Sequence, residues 1–353
     1  MRKLLGLLLV ALLATALYLF FTPSPIDPLA WEAPTAPVLS GPLEPNDTLM
    51  KAELLARGQV HGPEDTAVDS QGRIYTGVEN GQVLRIKTDG SVETFADTQG
   101  RPLGMDFDAQ GNLIVADAYK GLLSIAPDGK IQVLSKEAEG VPFVFTDDVD
   151  IASDGLIYFS DASSRFTQPD YLLDLLEARP HGRLLSYNPA TGETKVLLKD
   201  LYFANGVALS SQEDFVLVNE TYRYRITRYW LKGDKAGSSD IFIDNLPGLP
   251  DNLQGDRQGT FWVALPTPRK ADADLLHRWP WAKAQLAKLP RALWPKAESY
   301  GFAIALNEQG QIIQSLHDTS GSHLRMVTSV KPVGDYLYFG SLDNDRIGKL
   351  KIR

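Results

Sequence analysis

The stretch DSQGRIYTG (residues 69–77) decides the fold, because it does not occur only once. A turn of the same make leads into an apolar run at DAQGNLIVA (108–116), ASDGLIYFS (152–160), SSQEDFVLV (210–218), DRQGTFWVA (256–264) and PVGDYLYFG (332–340). Asp or Ser opening such a turn, with Gly three residues on, suits a tight reversal of the chain. The short β-branched or aromatic run after it reads as a strand. A second strand pair trails each copy, such as GQVLRIKTDGSVETF after the first and GLLSIAPDGKIQVL after the second. Asp89-Gly90 and Asp128-Gly129 are hairpin signals within these pairs. The sixth copy, DRIGKLKIR, is one strand short.

Six copies of four strands predict an all-β fold, a six-bladed β-propeller over residues 49–353. The segment LMKAELLARG (49–58) is expected to supply the missing outer strand, because closing the ring removes an open edge. Long inserts at 165–181 and 269–299 read as helical loop insertions. The second carries Trp279, Trp281 and Trp294 among Leu275, Leu276, Leu286, Leu289 and Leu293, with seven basic residues against three acidic ones. That composition suits either a membrane interface or a lid over a pocket.

The N-terminus carries a different signal. Arg2 and Lys3 precede the uncharged stretch Leu4–Phe21, close to the ~20 residues that span a bilayer. It predicts a signal anchor and transmembrane helix over residues 1–22, with the propeller on the extracytoplasmic side, the periplasm in a bacterium. The rival is a signal peptide cleaved near Ala14-Thr15-Ala16, which would leave LYLFF as an exposed apolar end. Residues 23–48 hold seven prolines and predict a semi-extended linker. A net charge of −9 excludes general nucleic-acid binding, and the absence of cysteine excludes disulfides, thiolate metal sites and cysteine nucleophiles. Asn46 and Asn219 begin glycosylation sequons, relevant only in a glycosylating cell.

Five residues ahead of each turn motif stand Glu64, Leu103, Asp147, Asn205, Asp251 and Val327. Four of these six carry side-chain oxygen, and in a propeller equivalent inner positions converge on the axis. Each alone suits a turn cap; four at one offset suit a shared site. Crowded carboxylates repel one another unless a cation sits among them. A set of oxygens without His or Cys fits calcium, or another hard divalent cation, rather than zinc, copper or iron. Asp148 and Asn252, each beside a column residue, are candidates for supporting bonds or direct ligation.

The segments GPEDTAVDSQGRIYTGVENGQVLRI, RPLGMDFDAQGNLIVADAYKGL, FANGVALSSQEDFVLVNET and LPGLPDNL resemble the strictosidine synthase-like branch of the calcium-dependent propellers. That group includes gluconolactonase/senescence marker proteins and paraoxonases. The resemblance implies an axial calcium held by Glu64 in its GPE motif, Asn205 in NG and Asp251 in PDN. Where the family has Asn in an ND motif, this chain has Asp147. The implied activity is calcium-dependent hydrolysis of a small-molecule lactone or ester, with Asp251 as catalytic base and Asp147 as second choice. A membrane-anchored, non-catalytic adaptor is the alternative. No glutamate follows Glu308, so the Pictet–Spengler condensation of true strictosidine synthases is not expected. The paraoxonase-type histidine pair has no counterpart near Leu103-Gly104. A rim or core role is expected for His61, while His317 and His323 flank the last blade as candidates to reach the pocket. No G-x-S-x-G elbow points to a serine nucleophile.

Overall fold

Residues 2–352 are described here in a computed structural model of the chain. The repeated turns owe their form to local hydrogen bonds. In the first copy Asp69 Oδ1 accepts the amides of Gln71 and Arg73, both at 2.9 Å. Asp108 repeats this with Gln110 and Asn112, and Asp256 with Gln258 and Thr260. Each such turn hands the chain to an antiparallel pair, and four-stranded sheets result.

There are six of these sheets. Blade 1 comprises Thr66–Val68, Ile74–Gly77, Gln82–Ile86 and Val92–Asp97. Blade 2 comprises Pro102–Phe107, Leu113–Asp117, Gly121–Ile125 and Ile131–Ser135. Blade 3 comprises Thr146–Ile151, Ile157–Asp161, Gly182–Asn188 and Glu193–Leu201, and blade 4 comprises Ala204–Leu209, Phe215–Glu220, Arg225–Trp230 and Ser239–Ile243. Blade 5 comprises Leu253–Gly255, Thr260–Ala264, Gly301–Asn307 and Ile312–Asp318. Blade 6 orders Val327–Val333, Tyr336–Ser341 and Ile347–Lys351 before an outer strand from the other end of the chain, Glu53–Leu55. That strand pairs antiparallel, Glu53 with Lys349 and Leu55 with Ile347, as the ring-closure argument predicts.

The first strand of every blade packs on that of the next, and the sixth returns to the first. These inner strands therefore surround one axis. Between blades lie apolar layers, such as Ala67, Tyr75, Met105, Leu113 and Val115 between blades 1 and 2. The layer between blades 5 and 6 includes Trp262, Ala303, Val330 and Phe339 and takes in Leu49 from the N-terminal segment. Burying a side chain of this size stabilises by roughly 1.5–3 kcal/mol, which is how flat sheets are held face to face.

The chain divides into two compact units. Met1–Ala33, Asp170–Arg179 and Lys270–Lys296 form the smaller, and the propeller with its remaining loops forms the larger. The smaller unit holds α1 (Arg2–Phe21), α2 (Tyr171–Glu177), α3 (Ala271–Leu276) and α4 (Pro280–Leu286). Both inserts are thus helical where expected, and Pro280 opens α4 rather than sitting in a continuous helix. Within the unit, Arg179 pairs with Asp27 at 2.6 Å, and the Tyr18 hydroxyl donates to the Lys288 carbonyl at 2.9 Å. Among the described residues no helix is long and apolar enough to cross a membrane. The side chains of residues 2, 4, 7–12 and 16 of α1 lie outside the description, and so does much of the anchor expected over Leu4–Phe21. The proline-rich segment is irregular, and its second half is tied to the propeller. Asn245 Nδ2 donates to the Thr35 carbonyl at 2.9 Å, and Asn46 Nδ2 to the Ser315 carbonyl at 3.2 Å.

Candidate metal centre

The inner strands are interrupted at the column positions. In blade 3 the pairing register shifts between Thr146 and Val149, so Asp147 and Asp148 occupy a bulge. In blade 4 it shifts between Ala204 and Val207, leaving Asn205 and Gly206 in the same place. Blade 2 does this at Leu103 and Gly104. Bulges re-aim side chains that regular pleating would send into the neighbouring layer. Glu64 and Asp251 lie just ahead of their inner strands, in extended chain.

The side chains meet in pairs. Asn252 Nδ2 donates to Glu64 Oε1 at 3.1 Å, linking blades 5 and 1. Asn205 Nδ2 donates to Asp251 Oδ1 at 2.6 Å, linking blades 4 and 5. Glu64, Asp147, Asn205 and Asn252 are buried, and Asp251 alone keeps partial exposure. Among these residues four buried oxygens have no hydrogen-bond partner: Glu64 Oε2, Asp147 Oδ2, Asn205 Oδ1 and Asn252 Oδ1. Leaving one such atom unpaired costs about 1–3 kcal/mol, more for a charged group, so four together call for a ligand. All are hard oxygen donors, and the set fits calcium better than a softer ion. The amides are essential to that fit. Among the described residues no three His, Cys, Asp or Glu side chains by themselves form a group that could hold a metal.

Electrostatics point the same way. Burial, then the charges of Asp251, Asp65 and Asp147, push Glu64 well above the ordinary carboxylate range. Asp147 is raised well above its range by burial and then by Asp251 and Asp148. Burial lifts Asp251 to about 7, opposed by the hydrogen bond from Asn205. The Arg101 guanidinium opposes the rise in both Glu64 and Asp147. With all three carboxyls ionised, the one guanidinium leaves two negative charges, the number one divalent cation cancels.

Asp148 has another task. Its Oδ1 accepts the Val149 amide and its Oδ2 the Val207 amide, both at 2.8 Å, which staples blade 3 to blade 4. Asp150 repeats the staple one pleat further along, accepting the Leu209 amide at 2.7 Å. Asp65 does so between blades 1 and 2, through the Met105 amide at 3.0 Å. Beside this layer lies Lys331, whose Nζ reaches Asp106 Oδ2 and Gln254 Oε1, each at 3.0 Å. Those partners belong to blades 2 and 5, which face each other in a ring of six, so the ammonium stands across the axis.

His317, His323 and His61 have other surroundings. His317 is fully buried in blade 5, stacked on Phe302 with ring centroids 4.4 Å apart. Its Nδ1 meets the Tyr300 hydroxyl at 2.9 Å and its Nε2 the Ser315 hydroxyl at 2.8 Å. His323 Nε2 bonds the Ala52 carbonyl at 2.7 Å, and His61 is exposed. The sequon residue Asn219 is fully buried, and its amide donates to the Asp251 backbone carbonyl, so it cannot accept a glycan in the folded chain. The repeat comparison covered the position five residues ahead of each turn, and so missed Arg101, Lys331 and Asn219, which stand at other offsets.

Comparison with known proteins agrees with the fold and the repeat. The strictosidine synthase family model matches residues 147–234, and the model for the N-terminal part of strictosidine synthase-like proteins matches 41–86. The protein strictosidine synthase-like 6 of Arabidopsis thaliana is 39% identical over 320 residues, covering 86% of this chain and 82% of that one. The adipocyte plasma membrane-associated protein of Homo sapiens is 37% identical over 355 residues, covering 94% and 85%. A gluconolactonase from Xanthomonas campestris shares the fold at a TM-score of 0.63 and 18% identity, covering 94% of this chain and 96% of its own. A calcium-binding regucalcin from Agrobacterium tumefaciens does so at 0.60 and 13%, covering 84% and 92%. The bulged inner strands and full-length similarity have one reading: this chain belongs to the strictosidine synthase-like family of six-bladed propellers.

Proposed function

We propose that this chain is a divalent-cation-dependent hydrolase of lactones or esters, with calcium as the ion its donors fit. The observation that carries the reading is the set of four unpartnered buried oxygens contributed by blades 1, 3, 4 and 5. Glu64, Asp147, Asn205 and Asp251 would hold the ion, with Asn252 orienting Glu64 or adding an oxygen. A bound divalent cation supplies Lewis-acid polarisation of a substrate carbonyl. The gluconolactonase and the calcium-binding regucalcin that share the fold make that chemistry a natural one for it.

The chain's own part is to hold and move a proton. Asp251 keeps partial exposure, and Asn205 donates to its Oδ1, so the proton-accepting role falls to Oδ2. Water adds to the acyl carbon while its proton passes to Asp251 Oδ2. The acyl C–O bond then breaks, and the proton on Asp251 goes to the departing alcohol oxygen. The carboxylic acid that results gives its remaining proton to solvent, leaving a carboxylate and an alcohol. Asp147 is the second choice for the base. Condensation chemistry has no support here, because the Glu308 carboxylate accepts the Ser211 amide at 2.8 Å in an outer turn.

The test is turnover of γ- and δ-lactones and aryl esters, with and without chelator, by wild type and Asp251→Asn. The reading expects cation-dependent turnover, and a loss of about 100-fold or more in kcat for the variant, with the ion still bound by calorimetry. Full turnover by ion-loaded Asp251→Asn would remove the base role. No cation-dependent turnover on any substrate would favour the adaptor.

The location follows from the same proposal. Residues 1–22 act as a signal anchor, with the propeller outside the cytoplasm, in keeping with the membrane-associated relative. Trp281 and Trp279, 76% and 61% exposed, sit in the same compact unit as α1 and suit an interfacial contact. Flotation with anionic vesicles checks this. Protein lacking residues 1–22 should stay with vesicles weakly, and not at all once both tryptophans are Ser.

A further inference from the structure

Blade 2 breaks the column, and what it offers instead is informative. Its position five residues before the turn is Leu103, which can ligate nothing. Two residues earlier stands Arg101, only 3% exposed. Its backbone is clamped on both sides: the amide donates to Asp117 Oδ1 at 3.0 Å, and the carbonyl accepts the Ala118 amide at 2.9 Å. The side chain reaches toward blade 1, where Nη2 donates to the Gly62 carbonyl at 3.2 Å, two residues before Glu64. Nη1 is buried and has no partner.

A structural guanidinium in such a place would be expected to spend its donors on carbonyls or a carboxylate fork. This one keeps a donor unspent beside the unpartnered oxygens of the axial set, a costly arrangement unless a ligand completes it. Arg also presents donors in a plane that matches the two oxygens of a carboxylate, which Lys does not.

We propose that Arg101 is a substrate-binding residue, whose Nη1 donates to an anionic ligand oxygen at the axial site. That oxygen is the acyl oxygen of the lactone or ester as it becomes the product carboxylate. The inference rests on the hydrolase reading for the identity of the ligand, and it narrows the substrate to molecules that release an unhindered carboxylate there. Arg101 thereby does two jobs. Its charge offsets the third carboxylate of the ring, and its free donor recognises the ligand.

The probe is 4-hydroxybutyrate, titrated by calorimetry into calcium-loaded wild type, Arg101→Lys and Arg101→Gln, with neutral 1,4-butanediol as the control. Calcium affinity is measured on the same proteins. Binding of the carboxylate to wild type is expected, weakened about tenfold or more in both variants, which at 1.4 kcal/mol per decade is the scale of one charge-assisted hydrogen bond. Calcium affinity should hold in Arg101→Lys, which keeps the charge and serves if the Gln variant fails to fold. Wild-type affinity for the carboxylate in Arg101→Lys would reduce Arg101 to charge balance and overturn the inference. So would wild type that does not bind the probe, or binds the diol as well. Arg101-dependent carboxylate binding without lactone turnover would refute the hydrolase and leave this site standing. Turnover with kcat, KM and carboxylate affinity unchanged in Arg101→Lys would do the reverse.

Discussion

Asp147 shows how much one atom changes at an axial position. Exchanging its carboxylate for an amide keeps an oxygen but removes a charge, leaving Glu64, Asp251 and Arg101 with one net negative charge. Asp147→Asn is therefore expected to bind calcium roughly tenfold more weakly, while the chelated protein gains thermal stability from relieved repulsion. Calorimetry and a melting curve in chelator read the two effects separately. The four candidate positions were found in the sequence by their shared offset, which a propeller turns into neighbouring places near its axis. The role of Asp148 was not legible there, because its place in the bulge gives it to the Val207 amide instead of the axis. His317 and His323 were over-read for a similar reason. Closeness to the last blade in sequence says nothing of which layer a side chain enters. Burial holds the His317 pKa down to about 4, below the ~6.5 of an unfolded chain. The unfolded state then binds more protons between those values, so stability present above pH 6.5 is lost as the pH falls toward 4, by at most about 3 kcal/mol. His317→Gln should flatten that part of the Tm–pH curve, and an unchanged acid limb would remove His317 as its cause.

At the scale of elements, the bulge and its glycine form the unit that recurs. A Cβ on Gly206 would stand 2.3 Å from the Leu253 nitrogen and 2.5 Å from the Asp251 carbonyl oxygen. Gly104 is equally confined, with Asp148 Oδ1 at 2.3 Å. These residues are small because the next inner strand passes against them, not because a turn needs them. Gly206→Ala should cost about 3 kcal/mol of stability. It should also weaken calcium, since Asn205 and Asp251 flank the displaced backbone; a melting temperature within a degree of wild type would contradict this. Strands, turns and inserts could be read from the sequence, since their signals are local. The register shifts could not, because one extra residue in a short strand leaves no mark in hydrophobic alternation.

Across the whole molecule, the axis carries two layers of opposite design. One gathers oxygens with no partner; the other is filled by the Lys331 ammonium, with Asp106 and Gln254 on it and Asp65 and Asp150 near enough to favour its charge. Lys331→Met would leave these acids buried without their cation, and a loss of about 3–5 kcal/mol is expected. A matching fall in Tm is the check, and a variant as stable as wild type would show that the acids accommodate its absence. Lys331 was invisible in the sequence because Asp106 lies four blades earlier in the chain and Gln254 one, and only the ring brings them together.

The shared strand of blade 6 has a consequence in time. Glu53–Leu55 leaves the ribosome among the first residues of the propeller, whereas its partner Ile347–Lys351 is among the last. Until synthesis ends, the early strand has no sheet to join and the late blades have no first blade to lean on. Folding must wait on the most distant pairing the chain makes, and such non-local pairings form slowly. If residues 1–22 are the anchor proposed above and are in a membrane by then, one of the two ends is tethered while the other arrives. The search that closes the ring becomes a search near a surface, by a nascent chain whose edges stay exposed until the end.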